Sequence, residues 1–319
     1  MFYKSGRFDM WEQLLSQVTT PGPAAPLNLE AFVWKQLGGS RFGFHHDVVQ
    51  WGGQLYWIGG FSSVPQTLFA RWNGSAWTAL PALPTARSGH TSVVVGDKMY
   101  VIGGHNAAGS AATGLNQCYD FVAGTWSTKA SMPGANAFGD GCAVGTDIYI
   151  FGGMTSTTAS PELPSKFIQY KYNTLDDTWS ELTITGQTPR LDLGVAAIGT
   201  KIYFIGGRNN SVYINKMYVY DTTNGVMSPL ADMPAAYGCR RCFHSFDNRL
   251  ISLWGIISGG GPYAGTNYYT PGTNTWTALA ANAGAARGMG GSGFMGNRMF
   301  YFGGIKTGTG QTDAWEFSL

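Results

Sequence analysis

Short apolar runs that end in paired glycines recur along the chain. LYWIGG ends at Gly60, MYVIGG at Gly104, IYIFGG at Gly153 and IYFIGG at Gly207. RMFYFGG ends at Gly304, and between the last two copies RLISLWG puts Trp254 and Gly255 in the place of the pair. Each run is short, rich in aromatic and β-branched residues and bounded by turn-forming residues, which predicts buried strands rather than helices. The first positions of the pairs (59, 103, 152, 206, 254 and 303) are 44, 49, 54, 48 and 49 residues apart, so the chain is built from six similar units.

Further markers keep step with the pairs. Tyr119, Tyr172, Tyr220 and Tyr269 each stand seven residues before Trp126, Trp179, Met227 and Trp276, and Trp77 holds the same place in the first unit. The intervening YNTLDDTW, YDTTNGVM and YTPGTNTW carry Asn, Asp, Gly and Pro, as expected where a third strand reverses into a fourth. Arg87, Arg190 and Arg287 open first strands. Trp34 precedes every glycine pair, whereas the chain stops on DAWEFSL, a third strand with nothing after it. Strand 32–37 is therefore expected to pair with the last three strands, from about 288 to 319, which removes the two open sheet edges. The tryptophans and tyrosines are expected to be buried packing elements between units.

Together and in this order these elements resemble the kelch repeat, over residues 32–319 at 48 residues per unit. The resemblance implies an all-β, six-bladed kelch-type β-propeller, closed by the N-terminal strand joining the C-terminal blade. Residues 1–31 form an arm outside it: 8–18 has Phe8, Trp11, Leu14, Leu15 and Val18 on one helical face, and 21–29 is a Pro-rich connector. The arm packs on its own propeller or docks on a neighbouring subunit.

Composition narrows the function classes. Only 12% of residues are charged and the formal net charge is +2, which creates no field that would gather polyanions, so neither nucleic acid nor an anionic membrane is the expected partner. No apolar run is long enough to cross a bilayer, and the first 18 residues lack the apolar core of a secretory signal. A cytoplasmic protein, or one incorporated in a particle assembled there, is expected. Cys118, Cys142, Cys239 and Cys242 make no disulfide framework.

Catalytic sets are not legible. Cys239-Arg-Arg-Cys242 falls where a first strand is expected, and strand residues three apart point to opposite faces, so it is not read as a metal or redox site. His45, His46, His90, His105 and His244 lie near first-strand starts or just past glycine pairs, but no carboxylate is expected beside them. No cofactor and no metal are expected. Kelch propellers include galactose oxidase and sialic-acid epimerases, yet no residue of either catalytic set carries over, and the reading is non-catalytic.

Loops that lead into first strands and out of second strands share one face. Its leading-in positions are Arg41, Arg87, Asn136, Arg190, Arg240 (or Arg241) and Arg287, and those just past the pairs include His105, Arg208 and Asn209. Gly206 to Ser211 resembles a loop in the kelch substrate adaptors of ubiquitin ligases, which implies contacts with acidic peptides; the 319 residues contain no BTB or BACK segment, so the ligase role does not carry over. Arg190 and Arg208 are expected to share a rim. Each arginine has a structural reading too, as a bridge to backbone carbonyls. Two function classes follow: an interaction or structural protein within a larger assembly, such as a phage tail or virion, and a carbohydrate-binding or carbohydrate-active propeller.

Overall fold

Six antiparallel sheets of four or five strands follow one another in a computed structural model that describes residues 28–39, 43–106, 112–155, 167–259, 261–279, 281, 286–306 and 309–318. Segment 8–18 and Arg41 lie outside the described residues. Blade I is Asp47–Trp51, Gln54–Ile58, Phe69–Trp72 and Trp77–Ala79. Blade II is Thr91–Val95, Lys98–Ile102, Asn116–Asp120 and Thr125–Lys129; blade III is Asp140–Val144, Asp147–Phe151, Gln169–Asn173 and Thr178–Glu181. Blade IV comprises Leu191–Ile198, Lys201–Asn209, Met217–Asp221 and Val226–Pro229, and blade V comprises Phe243–Phe246, Arg249–Ser252, Thr266–Thr270 and Thr275–Leu279. Blade VI takes Gly291–Met295, Arg298–Phe302 and Asp313–Ser318 from the C-terminal region and Val33–Gly39 as its outer strand. The architecture is a six-bladed propeller.

In blade VI, Trp34 stands opposite Phe317 and Gln36 opposite Trp315. A single 3-10 turn, Leu29–Ala31, precedes the strand, and the Asn28 side-chain oxygen accepts from the Glu30 N–H at 3.2 Å. Leu29 and Phe32 are buried among Leu253, Trp254, Met299 and Phe317. Trp34 stacks on Trp254 of blade V, ring centroids 4.3 Å apart. The aromatic that stands where the other blades have glycine thus meets the first described strand.

Elsewhere the glycine pair has a steric cause. Gly104 has φ 88°, and a Cβ there would lie 2.7 Å from the Ser88 carbonyl oxygen and 2.9 Å from the His90 Cβ. Only glycine fits both this left-handed backbone and the close approach of its own blade's leading-in segment, and at Gly103, φ 70°, a Cβ would lie 2.4 Å from the Asn136 carbonyl oxygen of the next blade.

The tyrosines and tryptophans form a clasp between blades. Trp179 Nε1 donates to the Ala130 carbonyl at 2.7 Å, while the Ala130 N–H donates to Asp177 Oδ1 at 2.8 Å, which also accepts from the Tyr172 hydroxyl at 2.5 Å. Blade V repeats the arrangement on Ala231: Trp276 Nε1 reaches its carbonyl at 3.0 Å, its N–H reaches Asn274 Oδ1 at 2.9 Å, and Tyr269 donates to that oxygen at 2.7 Å. In blade II, Trp126 Nε1 donates to the Pro81 carbonyl at 3.0 Å. Proline has no N–H to offer, and the turn position that is Asp177 or Asn274 elsewhere is Gly124 there. The expectation of buried tryptophans needs correction: Tyr119, Tyr172, Tyr220 and Tyr269 are buried, but Trp34, Trp77, Trp126, Trp179 and Trp276 are half-buried, because they stand on the outermost strands, beyond which no further strand of the sheet covers them.

Around the axis runs a ring of backbone hydrogen bonds, five links that join the six blades in turn. The His45 N–H donates to the Met289 carbonyl (2.7 Å), Gly89 to His45 (2.9 Å), Phe138 to Gly89 (2.8 Å), Asp192 to Phe138 (2.8 Å) and Cys239 to Asp192 (3.0 Å). His45, Phe138, Asp192 and Met289 hold positive φ between 55° and 61°, an unfavourable backbone for residues with a Cβ that the ring stabilises. At blade V the sequence of links changes: the Cys239 carbonyl accepts from Cys242 N–H at 2.9 Å instead.

Candidate functional site

That change marks a two-residue insertion. In blade I the ring residue His45 is two positions before the inner strand at Asp47; in blades II, III and VI, Gly89, Phe138 and Met289 stand two before Thr91, Asp140 and Gly291. In blade V, Cys239 stands four before Phe243. The Cys239 to Cys242 segment is a turn, not the expected first strand, and it carries Arg240 and Arg241 into the axis. The two cysteines are buried in different apolar clusters, and burial raises both thiol pKa values.

Both arginines reach across the ring. Arg240 Nε donates to the Gly139 carbonyl at 3.0 Å and its Nη2 donates to the His90 carbonyl, with Asp47 Oδ1 3.5 Å from Nη2. Arg241 Nε lies 2.7 Å from Asp47 Oδ1, and its Nη1 lies 3.0 Å from Asp140 Oδ1. Asp140 Oδ2 accepts from the Val195 N–H at 3.1 Å, and Ser292 Oγ donates to the Arg241 carbonyl at 2.6 Å. One insertion therefore ties blades I, II, III, IV and VI to blade V. Asp47 and Asp140 are fully desolvated, and burial raises the Asp140 carboxyl pKa while Arg241 and Arg240 oppose the rise. Desolvation holds His46 near 3 and His244 near 4, with His90 and Arg240 adding to the first shift and Arg241 to the second; these imidazoles are neutral at pH 7. His46 stacks face to face on Trp57 at 3.6 Å.

Carboxylates do accompany the axial histidines, contrary to the expectation: Asp47 Oδ2 lies 3.9 Å from His90 Nε2. They answer the inserted arginines, and among the described residues no group of three or more His, Cys, Asp or Glu is arranged to hold a metal ion.

The arginines that open first strands turn inward rather than toward the rim. Arg87 is fully buried, with Nη1 donating to the Val101 and Leu115 carbonyls at 2.9 Å each and Nη2 to the Gln117 side chain; burial lowers its pKa to about 10. Arg190, 1% exposed, donates from Nη1 to the Gly206 carbonyl at 3.2 Å and packs on the Phe167 and Tyr218 rings. Arg287 forms a two-pronged pair with Asp313. The expected rim pair of Arg190 and Arg208 is thus not assembled. Asn136 replaces the arginine in blade III and donates from Nδ2 to the Gly152 carbonyl at 3.2 Å. The bonds from the second glycine of each pair identify the remaining counterparts: Gly60 N–H reaches Arg87, Gly104 reaches Asn136, Gly153 reaches Arg190, Gly207 reaches Tyr237 and Gly304 reaches Gly43. Tyr237, not Arg240, is therefore the blade V counterpart, and Gly43, not Arg41, that of blade I.

One face of the ring is built out by short hairpins that continue past the glycine-pair positions. Phe61–Ser62 pairs with Val64–Pro65, Gly255–Ile256 with Pro262–Tyr263, and Ile305–Lys306 with Thr309–Gly310, while in blade IV the second strand runs on to Asn209 and pairs with Val212–Tyr213. Isolated bridges from Phe44 to Phe61, Ser88 to His105, Ala137 to Met154 and Gly238 to Ile256 fix the leading-in residues to the same face. Arg208 Nε donates to Asp192 Oδ2 at 2.9 Å, and Asn209 Nδ2 to the Pro189 carbonyl at 2.9 Å. His45 and His105 meet Phe138 edge-on, each at 4.9 Å between ring centroids. Desolvation, then Arg240, His105, His46 and Arg208, keep His45 neutral by lowering its pKa. The axial mouth on this face, between His45, Asp192, Tyr213 and Arg240, encloses only about 20 Å³. It offers a surface, not a deep pocket. Among the described residues no helix is long and apolar enough to cross a membrane.

The KLHDC2/KLHL20/DRC7 Kelch-repeats domain model matches residues 45–245 and 140–319. Kelch domain-containing protein 3 of Bos taurus is 29% identical over 182 residues, covering 52% of this chain and 46% of its own length. Kelch-like protein 36 of Mus musculus is 27% identical over 179 residues, 55% of this chain and 29% of its own. A protein named N-acetylneuraminate epimerase, from Pasteurella multocida (strain Pm70), is 29% identical over 160 residues, 48% of this chain and 38% of its own. The chain thus spans less than half the length of these relatives.

Proposed function

The chain belongs to the kelch-repeat family, and from that premise we propose that it is a non-catalytic interaction propeller whose hairpin face holds a protein partner within a larger assembly. The observation that carries this reading is the combination of hairpins projecting from four blades with an axial mouth of about 20 Å³ at their centre. A face that is broad at its rim and shut at its centre fits a macromolecular surface better than a small molecule, which needs a concave pocket. Arg208, held beside the mouth by Asp192, is the cation there that an acidic group on the partner would meet, an acidic peptide or loop being the simplest form. A phage tail or virion is one such assembly. The name of the bacterial epimerase relative favours a second reading, a carbohydrate-binding or carbohydrate-active propeller.

Arg208, with 19% of its side chain exposed, is the cation of this face best placed to be shared with a partner. Arg208→Ala is expected to weaken partner binding by about 1.5–3 kcal/mol for the lost charged hydrogen bond, and to lower the melting temperature as well because its largely buried pair with Asp192 is lost. Binding isotherms and thermal melts on one variant separate the two effects. Unchanged partner affinity together with a lowered melting temperature sinks the assignment, and a saccharide that competes for the face favours the second reading.

A further inference from the structure

Three positions recur in every blade of the hairpin face, so their side chains can be compared in one backbone setting. The antiparallel pairs Phe44 and Phe61, Ser88 and His105, Ala137 and Met154, Leu191 and Arg208, Gly238 and Ile256, and Gly288 and Ile305 fix two of them; the ring residue that follows each leading-in member is the third. Where blade I has Phe44, other blades hold Ser88 or Gly288; where blade III has Phe138, others hold Gly89 or Cys239. The fold therefore does not call for aromatic rings at these positions, yet blades I to III carry five of them. They touch in series: Phe61 lies 5.3 Å from Phe44, Phe44 5.2 Å from His45, His45 4.9 Å from Phe138 and Phe138 4.9 Å from His105, centroid to centroid. His45 and Phe138 hold φ 55° and 58°, a costly backbone for bulky side chains, and such strain gathers at functional sites. Gly89 makes room between them, for a Cβ there would lie 2.8 Å from Phe138 Cε1. Phe44, His45, Phe61 and His105 are half-buried, so the strip reaches the surface.

The strip adjoins the charged sector of the same face. His45 and Asp192 line one mouth, and Arg208 is held on Asp192 at 2.9 Å. Beyond desolvation, Arg240 and Arg208 both lower the His45 pKa, so the field at the strip is positive. A row of aromatic rings in a positive field is a poor cage for a cation and a good neighbour for an acid. An incoming aromatic ring, by contrast, finds edges and faces already arranged for it, at about 0.5–1.5 kcal/mol per ring pair beyond the area buried. We propose that the strip formed by Phe61, Phe44, His45, Phe138 and His105 seats an aromatic side chain of the protein partner beside the acidic group that meets Arg208. The element recognised is then a loop or peptide that carries an aromatic and an acidic residue close together. This inference rests on the reading that the hairpin face holds a protein partner.

Saturation-transfer NMR on the full chain tests this with capped peptides that hold one tryptophan and one glutamate, in either order, separated by none, one or two glycines. At least one peptide is expected to bind, with transfer strongest to its indole protons. Replacing its tryptophan by leucine should weaken it about two- to tenfold, the effect of one ring pair, and replacing its glutamate by glutamine about tenfold or more. Phe44→Ala and Phe61→Ala should each weaken the same peptide about two- to tenfold. No binding by any peptide, equal binding of the leucine peptide, or undiminished binding by the two variants overturns the proposal; should Phe44→Ala lose its cooperative melt, Phe61→Ala alone decides that last comparison. Transfer to cellotriose with none to the peptides also overturns it and favours the carbohydrate reading. A photo-crosslinking residue at position 212 of the same face tells this failure from that of the face itself. A partner captured equally by the unaltered chain and by Phe61→Ala sinks the aromatic seat alone, whereas no capture sinks the face.

Discussion

A chain lacking residues 1–39 is expected to be insoluble or to lose its cooperative melt, whereas one lacking only residues 1–27 should melt cooperatively. The longer deletion removes the outer strand of blade VI, so the strand Asp313–Ser318 becomes an exposed edge that can pair with another chain. It also removes buried Leu29 and Phe32 and the Trp34 ring stacked on Trp254. Burial of a large apolar side chain contributes about 1.5–3 kcal/mol, so three such losses together with a strand's backbone hydrogen bonds approach the whole stability of a domain, about 5–15 kcal/mol. The shorter deletion touches none of these contacts. A soluble, cooperatively melting product lacking residues 1–39 would show that the ring holds without this strand.

Arg241→Ala is expected to be the most damaging single substitution in the ring, at about 3–5 kcal/mol, because it strips a counter-charge from buried Asp47 and Asp140. Denaturant unfolding of Arg241→Ala, Asp140→Asn and the double variant measures it. The double variant should be less destabilised than the sum of the singles, since an isolated buried charge costs more than the pair contributes. Additive effects, or a loss below about 1 kcal/mol, would place these charges in contact with water instead.

The propeller was readable because its markers have fixed physical tasks at fixed intervals. A glycine such as Gly103, whose Cβ would meet the next blade, cannot be replaced cheaply, and a tyrosine paired across strands with a tryptophan seven residues on makes a recognisable clasp. The axial cluster was not readable from spacing. The insertion at Arg240 and Arg241 leaves the interval between glycine-pair positions at 48 and 49, within the ordinary range, because a neighbouring loop absorbs the difference. Asp47 and Asp140 occupy first positions of inner strands and announce themselves only once those strands are aligned on the ring of backbone bonds. Arg87 and Arg190 misled for a related reason. A residue that opens a strand at a loop face can still direct a long guanidinium back to the carbonyls of its own blade, and the chain supplies those carbonyls at Val101, Leu115 and Gly206. The hairpins beyond the glycine pairs leave a partial signal in Arg208-Asn209-Asn210-Ser211, where Asn210 takes the left-handed turn position at φ 55°.

Which face meets the partner is tested most directly by placing a photo-crosslinking amino acid at four exposed apolar positions, one at a time, in the native cellular setting. Val64 and Val212 lie on the hairpin face, 50% and 68% exposed; Val122 and Leu175 lie in turns between third and fourth strands on the opposite face, 75% and 76% exposed. Positions 64 and 212 are expected to capture one and the same protein, and positions 122 and 175 none. Capture from 122 or 175, with 64 and 212 silent, would contradict the assignment of the hairpin face.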